Sequence, residues 1–520
     1  MHNEIYDCLI IGTGASGLAS GSLMSRHFPK TILCESLPQI GGYCNSFVKK
    51  GKSGAKYQFD TGLNYVTGVE ENGELYNLLK ESLGSSVSDL EWISLGNEKM
   101  FQHKYLDGEI NICRGADKYQ NYLVERFPEH KTEIDALFRM SHEAFQSMQD
   151  ITSIYDKIDH STNVLSKVAS YGKLITKLPK FLGYLNKTTE QLLSKVTNEE
   201  FLKKLIFPFS NELGMPFEEV SGLLLLTTPA LLEGNYYPKG GSGKFRDAFV
   251  NEIKKNGGKI QTRSKVLKIE KSKDLYKVTT KRSEYLTRTV INATDASELY
   301  LRIMDPGLVP KKLKKKLKNS QYTGSNFYAF IGTDLDLPKF GLSKAVTKIF
   351  NEKIKDPVNR GHDGIPSLTL VSPTLKDPLG KHSPEGKYSL VCFSHGDYKD
   401  WQQWANYPST KRPQEYYQKK QEHGMKLIDM IEKHMIPNLS NHLDYVNFAT
   451  PLTNLHYTNQ PMGCGGGFAP TPKQFKNLRI TTKSHLRGLY NAGCSVMGGG
   501  IIMAVQSGVL AAKEALKYLN

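Results

Sequence analysis

LIIGTGASG, residues 9–17, runs from apolar residues into a glycine-rich turn. With the small-residue stretch that follows, from Ala15 to about Arg26, it reads as a strand, turn and helix opening a parallel sheet. Gly12 permits the tight turn, Gly14 lets backbone N–H groups approach a pyrophosphate, and Gly17 lets the helix pack close to the strand. Ala15 and Ser16 lie between the last two glycines and are candidate contacts of the same ligand. The helix N-terminus adds partial positive charge. This spacing fits NAD, NADP and FAD equally.

Outward from the turn, TILCE (31–35) is the second strand. Glu35 ends it about twenty residues beyond the glycines, where a carboxylate accepts from ribose hydroxyls and repels the 2′-phosphate of NADP. Ser36 adjoins it. In GGYCNSF (41–47), Gly41 and Gly42 allow a second backbone approach to the pyrophosphate, with Tyr43 beside them. A simple NAD domain has no need of that pair. KYQFD (56–60) reads as a further strand of the same sheet.

The 520 residues are 39% hydrophobic, enough for a large buried core in two domains. Lys and Arg number 68 against 52 Asp and Glu, a net charge of +16, so the surface attracts anions. MHNEIYDCLII at the start has neither the basic region nor the long apolar run of a secretory signal, which implies a cytoplasmic protein. SGLLLLTTPALL and GIIMAVQSGVLAA are too short or interrupted to span a bilayer of about 30 Å. Seven scattered cysteines without a C-x-x-C pair argue against a metal site and a disulfide framework.

The pattern along the chain gives an α/β architecture in which one domain is interrupted twice by another. Residues 1–90, 235–300 and 440–520 read as the dinucleotide-binding domain, and 91–234 with 301–439 as a substrate domain. Within the latter, about 114–230 is amphipathic and helical, a cap or separate layer. The stretch 320–400 alternates like an antiparallel sheet, and one long helix follows near 412–434.

The pattern E-x5-GG-x3-S after the first motif resembles the signature of large FAD-binding oxidoreductases. FDTGLNYVTG (59–68), YYPKGG (236–241), VINATD (290–295) and TPLTNLHYT with GCGGGF (450–468) narrow the likeness. With PSLTLVSPTLKDP (366–378) and the closing GLYNAG and GGG, they resemble the family of retinol saturases and carotenoid (phytoene) desaturases and isomerases. The resemblance implies a Rossmann-like FAD domain, non-covalent FAD, an external electron donor or acceptor, and a polyene or lipid substrate. It also implies cofactor roles for Gly62, for Val266 beside the adenine, for Gly493, and for Gly498, Gly499 and Gly500. The last three precede an apolar helix, beginning Ile501-Ile502, whose N–H groups stabilise charge on the flavin.

A flavin needs no metal, so the protein's task is to align a substrate carbon and exclude water. Where the saturase-like branch tends to carry His in FDTG-x-HY, this chain has Asn64, and an amide donates no proton to a carbanion at neutral pH. Tyr65 beside it is the candidate donor, with His456 and Tyr457 weaker ones. The basic run PKKLKKKLK (310–318) reads either as a solvated helix face or as a contact with an anionic membrane. Nucleic acid is disfavoured, because no aromatic-interleaved basic module accompanies the charge. Two other classes share such a domain: an amine oxidase, and a non-catalytic carrier of prenyl or lipid groups. Retention of the three glycines and Glu35 argues against the carrier.

Overall fold

The computed structural model of the chain describes residues 4–160, 164–207, 215–355, 365–477 and 480–520. The first sheet has its centre at Ile5–Ile11, which pairs in parallel with Thr31–Cys34 and with Glu284–Asn292. Lys259–Gln261 and Leu489–Asn491 extend it in parallel, and Val266–Ser272 with Leu275–Thr280 add an antiparallel edge. Alternation along the first strand sends Cys8 and Ile10 into one apolar core and Leu9 and Ile11 into another. The sheet is therefore covered on both faces. Helix Ala15–His27 is buried from Ala15 to Ser25 and packs against helices Ile501–Leu519 and Ser242–Lys255.

The second sheet runs in the order Leu443–Ala449, Ser325–Thr333, Tyr388–Gly396, Ser367–Val371, Val346–Phe350, Phe101–Tyr105, Gly108–Ile112. All its pairs are antiparallel except Val346–Phe350 with Phe101–Tyr105. One face, with Phe327, Ala329 and Ile331, packs on Leu427, Ile428 and Ile431 of helix Gln414–His434. The other face, with Tyr328 and Phe330, joins the core of a helical layer. That layer contains helices Ala116–Arg126, Lys131–His160, Val164–Leu185, Thr189–Leu193, Glu200–Ile206 and Thr227–Leu232.

One expectation is corrected. Lys56–Asp60 is no strand of the parallel sheet; it forms a hairpin with Ser46–Lys50. Leu443–Ala449 is hydrogen-bonded into the second sheet. Trp92–Ser94 pairs with Tyr236–Pro238 in a separate two-stranded sheet.

Candidate functional site

The opening turn has the geometry a pyrophosphate needs. Gly12 has φ +94°, and a Cβ on Gly17 would lie 2.1 Å from the Gly12 carbonyl oxygen, so only glycine permits that close approach. Gly14 is bare for another reason: its backbone is extended, and a Cβ there would meet nothing within 4 Å. A Cβ on Gly42 would meet only the Gly14 backbone, at 3.4 Å. The two glycine turns therefore face each other, and the Gly41 N–H donates to Thr13 Oγ1 at 3.3 Å. Helices Ala15–His27 and Ile501–Leu519 both begin at a glycine, Gly14 and Gly500, with no side-chain cap. Their first N–H groups are left for another acceptor.

Glu35 lies beside this cradle and is 8% exposed. Its Oε2 accepts from the Thr13 N–H (3.1 Å) and Thr13 Oγ1 (2.5 Å), and its Oε1 from the Leu37 N–H (2.9 Å) and Ser36 Oγ (3.1 Å). The Glu35 carbonyl accepts from the Ser264 N–H at 2.7 Å, which brings buried Val266 next to the end of the second strand. Glu35 thus braces the turn. Glu35→Ala is expected to weaken cofactor retention and also to lower apoprotein stability by about 1–3 kcal/mol, because buried donors lose their acceptor. Released flavin and the urea midpoint check this; unchanged retention would show that the carboxylate does not meet the ribose.

One buried carboxylate ties three separated motifs together. Asp60, 2% exposed, accepts from Ser46 Oγ (2.6 Å), the Ser242 N–H (3.0 Å) and the Tyr237 hydroxyl. Ser46 closes the E-x5-GG-x3-S pattern, Asp60 belongs to FDTG, and Tyr237 to YYPKGG. Asp295 of VINATD similarly accepts from Ser495 Oγ (3.3 Å), Tyr322 Oη (3.1 Å) and the Ser297 N–H (2.8 Å). Burial raises its pKa against these bonds. Gly493 presents its N–H to Ser507 Oγ at 2.8 Å, and its own Cβ would stand 3.2 Å from Ser16 Oγ. Gly499 abuts Gly466, where a Cβ would be 2.6 Å from the neighbour's Cα, while Gly498 and Gly500 stand clear. Ile501 and Ile502 are half-buried at the helix start.

The Gly62–Tyr65 segment lies against Tyr43: a Cβ on Gly62 would be 2.9 Å from that of Tyr43, whose hydroxyl donates to the Cys464 carbonyl at 3.3 Å. Tyr65 meets Phe101 edge-on, with centroids 5.2 Å apart. The Asn64 carbonyl accepts from Lys376 Nζ at 2.6 Å. Lys376 is 1% exposed, its ammonium lies 5.2 Å from the Tyr237 ring centre, and burial pushes its pKa down to about 7 against the pull of Asp60. Beside it, buried Asp377 and His382 pair at 3.3 Å, and the Gly240 N–H donates to Asp377 at 2.7 Å.

Lys376, Asp60 and Tyr237 are the groups that sequence reasoning missed. All three stand in quoted motifs, but only the fold reveals that a lysine in SPTLKDP is buried against FDTGLNY. Tyr457, by contrast, is 51% exposed and meets His456 edge-on at 4.9 Å near the end of helix Pro451–Thr458. The seven cysteines are free thiols. Among the described residues no cluster of three or more His, Cys, Asp or Glu is placed to hold a metal.

The sequence profile of the family described as flavin containing amine oxidoreductase matches residues 15–516. The chain is 24% identical over 520 residues to all-trans-retinol 13,14-reductase of Danio rerio, covering 95% of this chain and 83% of that protein. It is likewise 24% identical over 518 residues to the chloroplastic prolycopene isomerase of Arabidopsis thaliana, covering 98% and 82%. In fold it is similar to cyclohexylamine oxidase from Brevibacterium oxydans, at a TM-score of 0.61 and 16% identity over 99% of both chains.

Proposed function

This chain belongs to the flavin containing amine oxidoreductases and is an FAD-dependent oxidoreductase, and on that premise we propose that it reduces carbon–carbon double bonds of a long apolar polyene or lipid. In this reading the facing turns at Gly12–Gly17 and Gly41–Gly42 hold the pyrophosphate, Glu35 and Val266 the adenosine end, and Gly498–Ile502 the flavin end. Bound there, FAD supplies two-electron transfer at a substrate carbon. The protein's own residues bind and align the chain, exclude water and, through Lys376, hold the Asn64 carbonyl and with it the Gly62–Tyr65 segment.

The observation that carries the substrate class is the apolar, aromatic character of what surrounds that segment. Phe59 packs on Phe47 (5.5 Å), Phe330 (5.7 Å) and Tyr445 (5.5 Å), and Tyr328 on Phe393 (5.5 Å). Tyr65, Phe393, Met215 and Leu223 are partly exposed members of the same cluster, drawn from the loop, the second sheet and the helical layer. We place the substrate between that sheet and the layer, where apolar burial at about 25 cal/mol per Å² retains a polyene without a charged anchor. Retinol reduction and prolycopene isomerisation in the named relatives support the same class.

The purified protein is expected to be yellow, with one FAD per chain released by denaturation. Under anaerobic conditions the reduced protein is expected to be reoxidised by a conjugated polyene. Bleaching of the oxidised flavin by the lipid would make it a desaturase, and altered double-bond geometry with no net redox change an isomerase. A primary amine that bleaches the flavin while every lipid leaves it unchanged would overturn the reading.

We also place the protein peripherally on an anionic membrane. No helix of the described residues is long and apolar enough to cross one. Helix Lys311–Lys318 buries Leu317 and half-buries Leu313, turning Lys311, Lys312, Lys315 and Lys318 outward. A cavity of about 290 Å³ at its side is lined by Lys312, Lys316, Lys483 and His485. This charge supports attraction to lipid headgroups.

A further inference from the structure

Helix Val164–Leu185 half-buries Leu174, Leu178 and Phe181 and carries a further apolar stripe that faces outward. Ile175 is 73% exposed, Val168 62% and Tyr171 52%. Positions 168, 171 and 175 form one stripe at helical spacing, and exposed Pro179 continues it. The opposite side faces helix Lys131–His160: Ser170 is buried, Lys177 pairs with Asp150 at 2.9 Å, and Lys180 with Glu143 at 3.0 Å. An ordinary surface helix buries its apolar stripe and shows its charges to water.

We propose that Val164–Leu185 is the element that docks on the anionic bilayer, lying in the headgroup layer with Val168, Tyr171, Ile175 and Pro179 inserted among the acyl chains. The occupant follows from charge. The helix carries lysines at 167, 173, 177 and 180 and no acidic residue; Lys177 and Lys180 are matched by carboxylates of helix Lys131–His160, so the attraction rests on the other two and on the chain's net charge of +16. Beyond its end, exposed Lys187 stands close enough to Lys195 to lower the pKa of that ammonium, a further concentration of positive charge. An interfacial helix combines an exposed apolar stripe with positive charge nearby. A second copy of the chain on the same stripe would bring the two sets of lysines together.

The helix end also leads toward the proposed substrate region. The Leu185 carbonyl accepts from Ser221 Oγ at 3.0 Å, two residues before Leu223 of the apolar cluster. The inference rests on the membrane reading above and assigns it to one helix; it does not depend on which substrate is used.

The test is sedimentation of the full-length holoprotein with vesicles of phosphatidylcholine alone or with phosphatidylserine added. Wild type is expected to bind the mixed vesicles and to be released as salt shortens the screening length. Val168→Asp/Ile175→Asp is expected to weaken that binding at least tenfold with flavin content and melting unchanged, since both side chains are exposed. Tyr171→Trp is expected to show blue-shifted emission on adding mixed vesicles. If the double variant binds like wild type and the emission of the Tyr171→Trp protein does not move, the helix assignment fails. If neutralising lysines in 311–318 then abolishes binding, the membrane reading survives without it. Wild type that binds no vesicle overturns both, and a dimer that the double variant dissociates shows that a second copy covers the stripe.

Discussion

Gly14→Val will give a folded but colourless protein, whereas Gly17→Ala will damage the fold itself. The two glycines stand three residues apart in one motif and serve different ends. At Gly14 the backbone is extended, with φ −65° and ψ 176°, a conformation open to valine, and the added side chain points into space that no protein atom fills within 4 Å. Stability without cofactor is expected within about 0.5 kcal/mol of wild type, as for other substitutions that strike nothing. FAD retention is expected to fall at least a hundredfold, because the side chain fills the approach of the pyrophosphate. At Gly17 a Cβ would lie 2.1 Å from the Gly12 oxygen and 3.2 Å from the Ala293 Cβ, so the turn must open. Overpacking of that kind costs about 1–3 kcal/mol or more. Flavin absorbance and the urea midpoint, measured for both variants, separate the effects. A Gly14→Val protein that stays yellow would mean that the ligand does not pass there.

The first of these glycine turns was legible because it is local. Strand, turn, helix and Glu35 lie within about thirty consecutive residues, and each signal is a residue type with one backbone use. What the sequence hid is pairing at a distance. The alternation in KYQFD marks a strand but not its partner, and Lys56–Asp60 turns out to pair with its neighbour Ser46–Lys50. Phe101–Tyr105 gives no sign that its partner is Val346–Phe350, or that the pairing is parallel. Periodicity in Val164–Leu185 identifies an apolar stripe, but cannot say whether core or surroundings lie beneath it. Lys376 reads as an ordinary loop lysine until the fold closes over it.

That lysine gives the second large effect. Lys376→Met is expected to lower kcat by about 10- to 100-fold, because the Asn64 carbonyl loses its donor and the Gly62–Tyr65 segment its hold. A change of this size corresponds to about 1.4–2.8 kcal/mol in the barrier. The wild-type rate is expected to fall as pH rises through about 7, where the ammonium beside that segment loses its charge, and the variant to lack this step. Stability provides an independent check with a definite sign. The folded-state pKa is lowered, so between about 7 and the ordinary lysine value the unfolded chain binds more protons, and wild-type stability rises with pH there. In Lys376→Met that contribution is absent. The stability of wild type relative to the variant is therefore expected to climb by up to about 1.4 kcal/mol per pH unit above 7. Parallel pH profiles of the two proteins would remove Lys376 from this role.

The packing of the first helix against the last has a consequence for how the protein is made. Ser20 Oγ donates to the Gly508 carbonyl at 2.9 Å, across 488 residues of chain, and a Cβ on Gly508 would stand 2.3 Å from the Ser16 carbonyl oxygen. At roughly 5–20 residues per second of translation, the first helix leaves the ribosome roughly half a minute to a minute and a half before its partner exists. Until then its small-residue face has no cover, and the opening turn lacks the neighbour that fixes it. The strand Leu489–Asn491, which edges the same sheet, arrives equally late. The first helix therefore gains its full cover, and the glycine cradle its second helix, only after Ile501–Leu519 has been made.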